Sequence, residues 1–164
     1  MAGDQKEHEF EILFQATGRS VGKMRSEITV SRPGTSVTYE MATDEGEFHG
    51  GDDTAPPPLA YFATGFTACL MTQIRAFAKR LDVPINGCVV TGHYRWTGRQ
   101  KGREPYVGQP GGFSFDIDLD SDASTEDQVR LIEAAKKGCF IDQTLAVVNN
   151  VGHRLKVGDG WVDV

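Results

Sequence analysis

The sequence has no apolar run approaching the roughly 20 residues a helix needs to span a bilayer, so no membrane segment is expected. It has no run of lysine and arginine either. Its 17 basic residues are outnumbered by 23 acidic ones, and the net charge of -6 would repel a phosphate backbone, which argues against a nucleic-acid partner. Cysteine is scarce. Cys69, Cys88 and Cys139 are too few and too scattered for a disulfide scaffold or a zinc ribbon. None of His8, His49, His93 and His153 stands at metal-ligand spacing from a cysteine, so no metal site is expected. The polar start, MAGDQKEHEF, lacks an apolar signal core, so secretion is not expected. A reducing cytoplasm is the expected setting, and there a disulfide is more often catalytic than structural.

What the chain does have is a globular composition, 39 % hydrophobic and 24 % charged over 164 residues. That length suits one domain, 1–164, able to build a core without metal or disulfide staples. Residues 1–8 read as a frayed end. Strands are predicted over 9–17, 25–31 and 35–42, with turns at Gly18–Gly22, where Arg19 sits, and at Arg32-Pro33-Gly34. The loop 43–58 is rich in acid, glycine and proline. Its prolines 56–58 introduce a helix from about Leu59 to Leu81, because proline's fixed φ suits a first turn. Apolar residues at 59, 62, 66, 69, 70, 74, 77 and 81 keep helical spacing, and the segment 59–71 is apolar on most sides, as in a buried central helix.

Strands follow over 88–97 and 113–120, separated by a polar glycine-rich loop. Phe113, Phe115, Ile117 and Leu119 alternate onto one face. Ser124 or Thr125 starts the next helix, and Thr125 with Gln128 fits a capping box. Val129, Ile132 and Ala135 or Lys136 continue its periodicity. Gly138 ends it, Cys139 opens a short apolar helix, and 153–163 closes the sheet as a last strand. The fold class is α+β.

An isolated cysteine inside a helix ordinarily serves as a small buried hydrophobe. Two features set Cys69 apart. Its neighbours one turn away are Gly65, Thr72 and Gln73, small or polar residues that leave room beside the sulfur and can bond to it. The second feature is Cys139. At the end of one helix and the start of another, it should be reachable, and the positive end of the dipole should favour its thiolate. Cys88 opens a strand without polar company and reads as structural.

The segments PLAYFATGFTACL (58–70) and AAKKGCFIDQTL (134–145), with Cys139 70 positions after Cys69, resemble the OsmC/Ohr hydroperoxide-resistance family over nearly the whole chain. The resemblance implies an OsmC-like fold, with antiparallel sheets wrapped around a long central helix in an intertwined homodimer. It implies a peroxidatic Cys69 that attacks an organic hydroperoxide, and a resolving Cys139. It implies no cofactor beyond an external dithiol or lipoylated reductant. Phe62, Phe66, Phe140 and Ile141 would form an apolar pocket for the substrate. Family peroxidases carry a glutamate near the start of the helix, where this sequence has Leu59 and Ala60, and an arginine that pairs with the thiolate. Arg19 or His49 would take the cation's place, and Asp52 or Asp53 the carboxylate's. The alternative is a relative that keeps the fold and binds a small apolar ligand or performs other thiol chemistry.

Overall fold

The computed structural model describes residues 8–164, so the expected frayed end lies outside the described residues except for His8. The chain divides into two compact units between Tyr61 and Phe62. It is a mixed α+β fold whose sheets are all antiparallel.

The first unit holds a three-stranded meander, β1 (Gln15–Val21), β2 (Arg25–Ser31) and β3 (Thr38–Thr43). The first strand lies later than 9–17. Gly18 and Arg19 sit inside it, paired with Ile28 and Glu27, and the turn falls at Gly22 with φ 69°. Gly18 lies within the ladder with its backbone paired to Ile28, whose side chain is 3.8 Å from where a Cβ would lie, an ordinary contact. Both faces of β1 are exposed, and Tyr39 and Met41 of β3 are exposed as well.

The loop after β3 turns on Asp44, which is 2 % exposed. Its carboxylate accepts from the Glu45 and Thr54 backbone N–H groups at 2.9 and 3.0 Å and from the Thr54 hydroxyl at 2.7 Å. Those bonds hold its carboxyl below the usual carboxylate range, the Thr54 hydroxyl contributing most. A buried carboxylate persists only when its lone pairs are satisfied in this way.

The helix α1 (Pro58–Arg80) begins at the last proline, as expected. Tyr61 fastens its first turn by donating to the Ala42 carbonyl at 2.8 Å. The helix buries one stripe, Phe66, Leu70, Ile74 and Ala78, at four-residue spacing. Thr64, Ala68 and Thr72 are exposed, so within this chain the helix is buried along one side only.

The second unit contains a long hairpin, β4 (Gly87–Arg99) and β5 (Val107–Asp120). Both strands run further than expected, into the segment predicted as a glycine-rich loop. A register shift between Tyr94, paired with Phe113, and Trp96, paired with Pro110, absorbs Gly111–Gly112, so proline and glycine mark an irregularity inside a strand rather than its end. Phe113, Phe115, Ile117 and Leu119 do share the inward face and pack on the core. Phe66 meets Phe115 at 4.7 Å between ring centroids, and Phe62 meets Phe113 and Trp96 at 5.6 Å.

The helix α2 (Thr125–Gly138) is capped by Ser124, whose Oγ accepts from the Asp127 N–H at 3.1 Å. The cap is therefore Ser124 with Asp127, not Thr125 with Gln128; Gln128 instead donates to the Ala123 carbonyl. Ser124→Ala should cost about 1 kcal/mol of stability in a denaturant titration, and Thr125→Ala much less. The helix buries Leu131 and Ala135, while Val129 is exposed; four-residue spacing carries that stripe on to Cys139.

A short helix α3 (Phe140–Leu145) follows. The expected last strand is a hairpin, β6 (Arg154–Val157) and β7 (Gly160–Asp163). Its turn is Gly158-Asp159, with Gly158 at φ 59°, a glycine-aspartate pair that is itself a hairpin signal.

Candidate active site

The site is built where a stripe of α1 lies along the junction between α2 and α3. Gly65, Cys69, Gln73 and Phe77 are spaced by four residues, so they share one helix face. Gly65 is bare where the Ile141 side chain arrives, 3.7 Å from where its Cβ would be. Cys69 meets Cys139, sulfur to sulfur, at 3.1 Å. Beyond them Phe77 and Gln73 crowd against Gly138. A Cβ there would lie 2.5 Å from Phe77 Cζ and 3.4 Å from Gln73 Oε1. Gly138 therefore serves as more than a helix terminator: its missing side chain is what lets the junction come down onto α1.

Cys139 stands at the junction itself. It closes α2, its N–H bonding the Lys136 carbonyl, and it opens α3, its carbonyl accepting from Gln143. Both cysteines are free thiols. Their environments differ. Cys139 is fully buried and Cys69 half-buried. Burial pushes the Cys139 thiol up to about 11, with the Cys69 sulfur adding to the rise and the Asp142 and Ile141 N–H groups pulling the other way. The expectation that Cys139 would be reachable and favoured as thiolate by the helix start is thus reversed: desolvation outweighs the N–H groups. Cys139 stays protonated and donates its S–H to Cys69.

This asymmetry has a stability signature. The folded-state pKa of Cys139 lies above the ordinary thiol value, so the folded chain holds a proton that the unfolded chain gives up between pH 9 and 11. Its contribution is complete below about pH 9 and is lost as pH rises toward 11. Reduced protein should lose stability over that window, by about 3 kcal/mol at most. Cys139→Ala should lose less, and the difference between the two denaturation series isolates this group from other titrations.

Cys88 lies on β4, packed against the core, where burial and then the Asp118 carboxylate raise its thiol. Among the described residues no group of His, Cys, Asp and Glu is arranged to hold a metal ion. Among the same residues no helix is long and apolar enough to cross a membrane.

The other sequence-predicted residues fall as follows. Phe62 and Phe66 join a ring cluster with Tyr94, Trp96 and Phe113. Ile141 packs at Gly65, and Phe140 is half exposed at 51 %. Phe66 and Leu70 also line a cavity of about 530 Å³ shared with Phe115, Ile117, Ile132 and Leu145. Arg19, His49, Asp52 and Asp53 all belong to the first unit. There Arg19 pairs with Glu27 at 3.3 Å, Lys23 with Asp52 at 2.6 Å, and His49 with Glu45 at 3.3 Å. Asp53 adopts φ 52° and bonds through its N–H to the Glu45 carbonyl. Thr72, expected beside Cys69, donates instead to the Ala68 carbonyl of its own helix.

Sequence reasoning missed Phe77 as the residue that pairs with Gly138, and Asp44 as the organiser of the acidic loop. The four-residue spacing from Cys69 carries the first signal. Asp44 and Thr54 are ten positions apart in irregular chain, and no periodicity links them.

Comparison with known proteins adds to this geometry. A family model described as OsmC-like protein matches residues 50–153. The crystal structure of an OsmC-like hydroperoxide resistance protein from Jannaschia sp. CCS1 is 45 % identical, covering 93 % of this chain and 98 % of that one, with a TM-score of 0.65. An organic hydroperoxide resistance protein OsmC from Legionella pneumophila matches at 14 % identity over 85 % of this chain and 91 % of that one, TM-score 0.57. An OsmC-like protein from Mycoplasma pneumoniae matches at 17 % identity over 86 % and 91 %, TM-score 0.57. The last two bear on the fold alone. No curated protein matches.

Proposed function

We infer function from one premise, that this chain belongs to the OsmC-like protein family: it is a thiol-dependent reductase of organic hydroperoxides that works through Cys69 and Cys139. The observation that carries this reading is the sulfur pair at 3.1 Å, one member half-buried and the other a buried thiol donating to it. Thiolate is the nucleophile in such chemistry, and the more accessible sulfur is the one a peroxide reaches.

The steps balance without a bound cofactor. The Cys69 thiolate attacks the distal peroxide oxygen and the O–O bond breaks. The sulfur becomes a sulfenic acid, and the alkoxide leaves and takes a proton to become an alcohol. The Cys139 thiol then attacks the sulfenic sulfur. A disulfide forms and water departs. The sulfurs, at 3.1 Å, need to close by only about 1 Å to reach bonding distance. An external dithiol, such as a lipoylated protein, takes the two sulfurs back to thiols. A reducing cytoplasm suits a resting state with free thiols.

We place the active form as a homodimer. The three-stranded sheet of the first unit leaves Tyr39 and Met41 exposed, and its first strand is exposed on both faces. A sheet of that kind requires cover to be stable, and a second copy supplies it. A second functional reading, an apolar-ligand binder without turnover, is favoured by the cavity lined by Phe66, Leu70 and Phe115. Thermal stabilisation by cumyl alcohol that persists in Cys69→Ser would support it.

The deciding experiment treats fully reduced protein with one equivalent of cumene hydroperoxide. Three free thiols should fall to one, with peptide mass spectrometry locating a Cys69–Cys139 disulfide and one equivalent of cumyl alcohol released. All three thiols surviving an excess of hydroperoxide would end this reading.

A further inference from the structure

We propose that Gln73 is a further catalytic residue of this site, donating its side-chain N–H to the Cys69 thiolate; this rests on the thiol reading of the site. Gln73 lies one helical turn after Cys69 on the same face, and helical side chains lean back toward the N-terminus, so its carboxamide is directed at the preceding turn. It is half-buried, and its side chain has no hydrogen-bond partner among the described residues. Its Oε1 lies against Gly138, 3.4 Å from the vacant Cβ position, and Gly138 adjoins Cys139. The carboxamide oxygen therefore lies against the junction that carries Cys139. With the oxygen turned to Gly138, the NH2 group is the end left for sulfur.

The site calls for such a donor. A thiolate on Cys69 receives one S–H from Cys139, a weak donor. The Thr72 hydroxyl is engaged with Ala68. The remaining members of the stripe, Gly65 and Phe77, offer no side-chain N–H or O–H, and the titratable group that faces Cys69 from the packed junction is Cys139. An amide N–H bonded to the charged form of a thiol lowers its pKa.

The test is the pH profile of iodoacetamide labelling at Cys69, read by peptide mass spectrometry on the reduced full chain. Wild type is compared with Gln73→Leu, which removes all polarity, and Gln73→Glu, which keeps the volume but replaces the donor by a charge. Gln73→Leu should move the labelling midpoint up by about one pH unit, a tenfold loss of thiolate below the midpoint, and Gln73→Glu should move it further. Wild-type midpoints in both variants would overturn the proposal. The readout needs no peroxide turnover, so a wild-type protein that ignores hydroperoxide sinks the functional reading and leaves this assignment to be judged by the labelling alone.

Discussion

Cys69→Ser should reduce hydroperoxide consumption to the uncatalysed rate, a loss on the order of 10³-fold or more in kcat/KM. A serine hydroxyl at neutral pH supplies almost no oxyanion, and no other sulfur is placed to take over. Cys139 holds its proton up to about 11, and Cys88 is packed against the core on β4 with its thiol also raised. Cys139→Ala should behave differently. The first equivalent of hydroperoxide should be consumed at close to the wild-type rate, because the attacking sulfur is intact. The second turnover should fail, because no thiol at 3.1 Å is present to convert the sulfenic acid. Cys69 would then climb to sulfinic acid under excess oxidant, a mass increase of two oxygens on one peptide. Alanine is the better replacement here, since a serine hydroxyl at a fully buried position carries a desolvation cost of its own. The pair of variants separates the two roles. Equal loss of the first turnover in both would show that the cysteines do not divide the work as nucleophile and resolver.

Where the sequence spoke clearly, periodicity was the reason. The long helix, the alternating strand at 113–119 and the break at Gly138 follow from apolar spacing and from proline or glycine at element ends. The elements misread share a cause: a glycine or proline taken as an end. Gly18 sits inside β1, Pro110 and Gly111 sit inside β5, and the glycine-aspartate pair at 158–159 divides the last segment into two strands. Local composition does not say whether a glycine terminates a strand or admits a neighbour onto it. That depends on what packs above it, as Tyr94 does at Gly92. The site was legible to the same degree. The spacing of Cys69, Gln73 and Phe77 is visible in the chain. That Gly138 and Cys139 lie along that stripe is a tertiary fact, made by the α2 stripe Leu131, Ala135 and Cys139 burying against the core. The upward shift of the Cys139 thiol was unreadable, because burial decides it, and the sequence placed Cys139 at a reachable helix start.

Gly138→Ala should separate the two sulfurs without touching either. The new methyl group would sit 2.5 and 2.6 Å from Phe77 Cζ and Cε2, nearly 1 Å inside ordinary contact. The ring is poorly free to retreat, since it packs on the core and the Arg80 guanidinium lies over it at 5.8 Å. Either the ring leaves its place or the junction lifts, and lifting carries Cys139 with it. Overpacking of this kind costs about 1–3 kcal/mol, only partly offset by the better helix propensity of alanine, up to about 1 kcal/mol. Stability should therefore fall, and disulfide formation after a first equivalent of hydroperoxide should slow by about tenfold, because sulfur–sulfur closure depends on the distance between the two helices. Sulfenic acid formation at Cys69 should be little changed, which distinguishes a displaced resolver from a damaged nucleophile. Phe77→Leu removes the two clashing ring carbons. In the Gly138→Ala background it should restore part of the stability and of the closure rate, although alone it leaves a cavity and destabilises. A double-mutant cycle with a favourable coupling of about 0.5–3 kcal/mol is the expected outcome. Additive losses would mean that some contact other than Phe77 on Gly138 sets the height of the junction above the central helix.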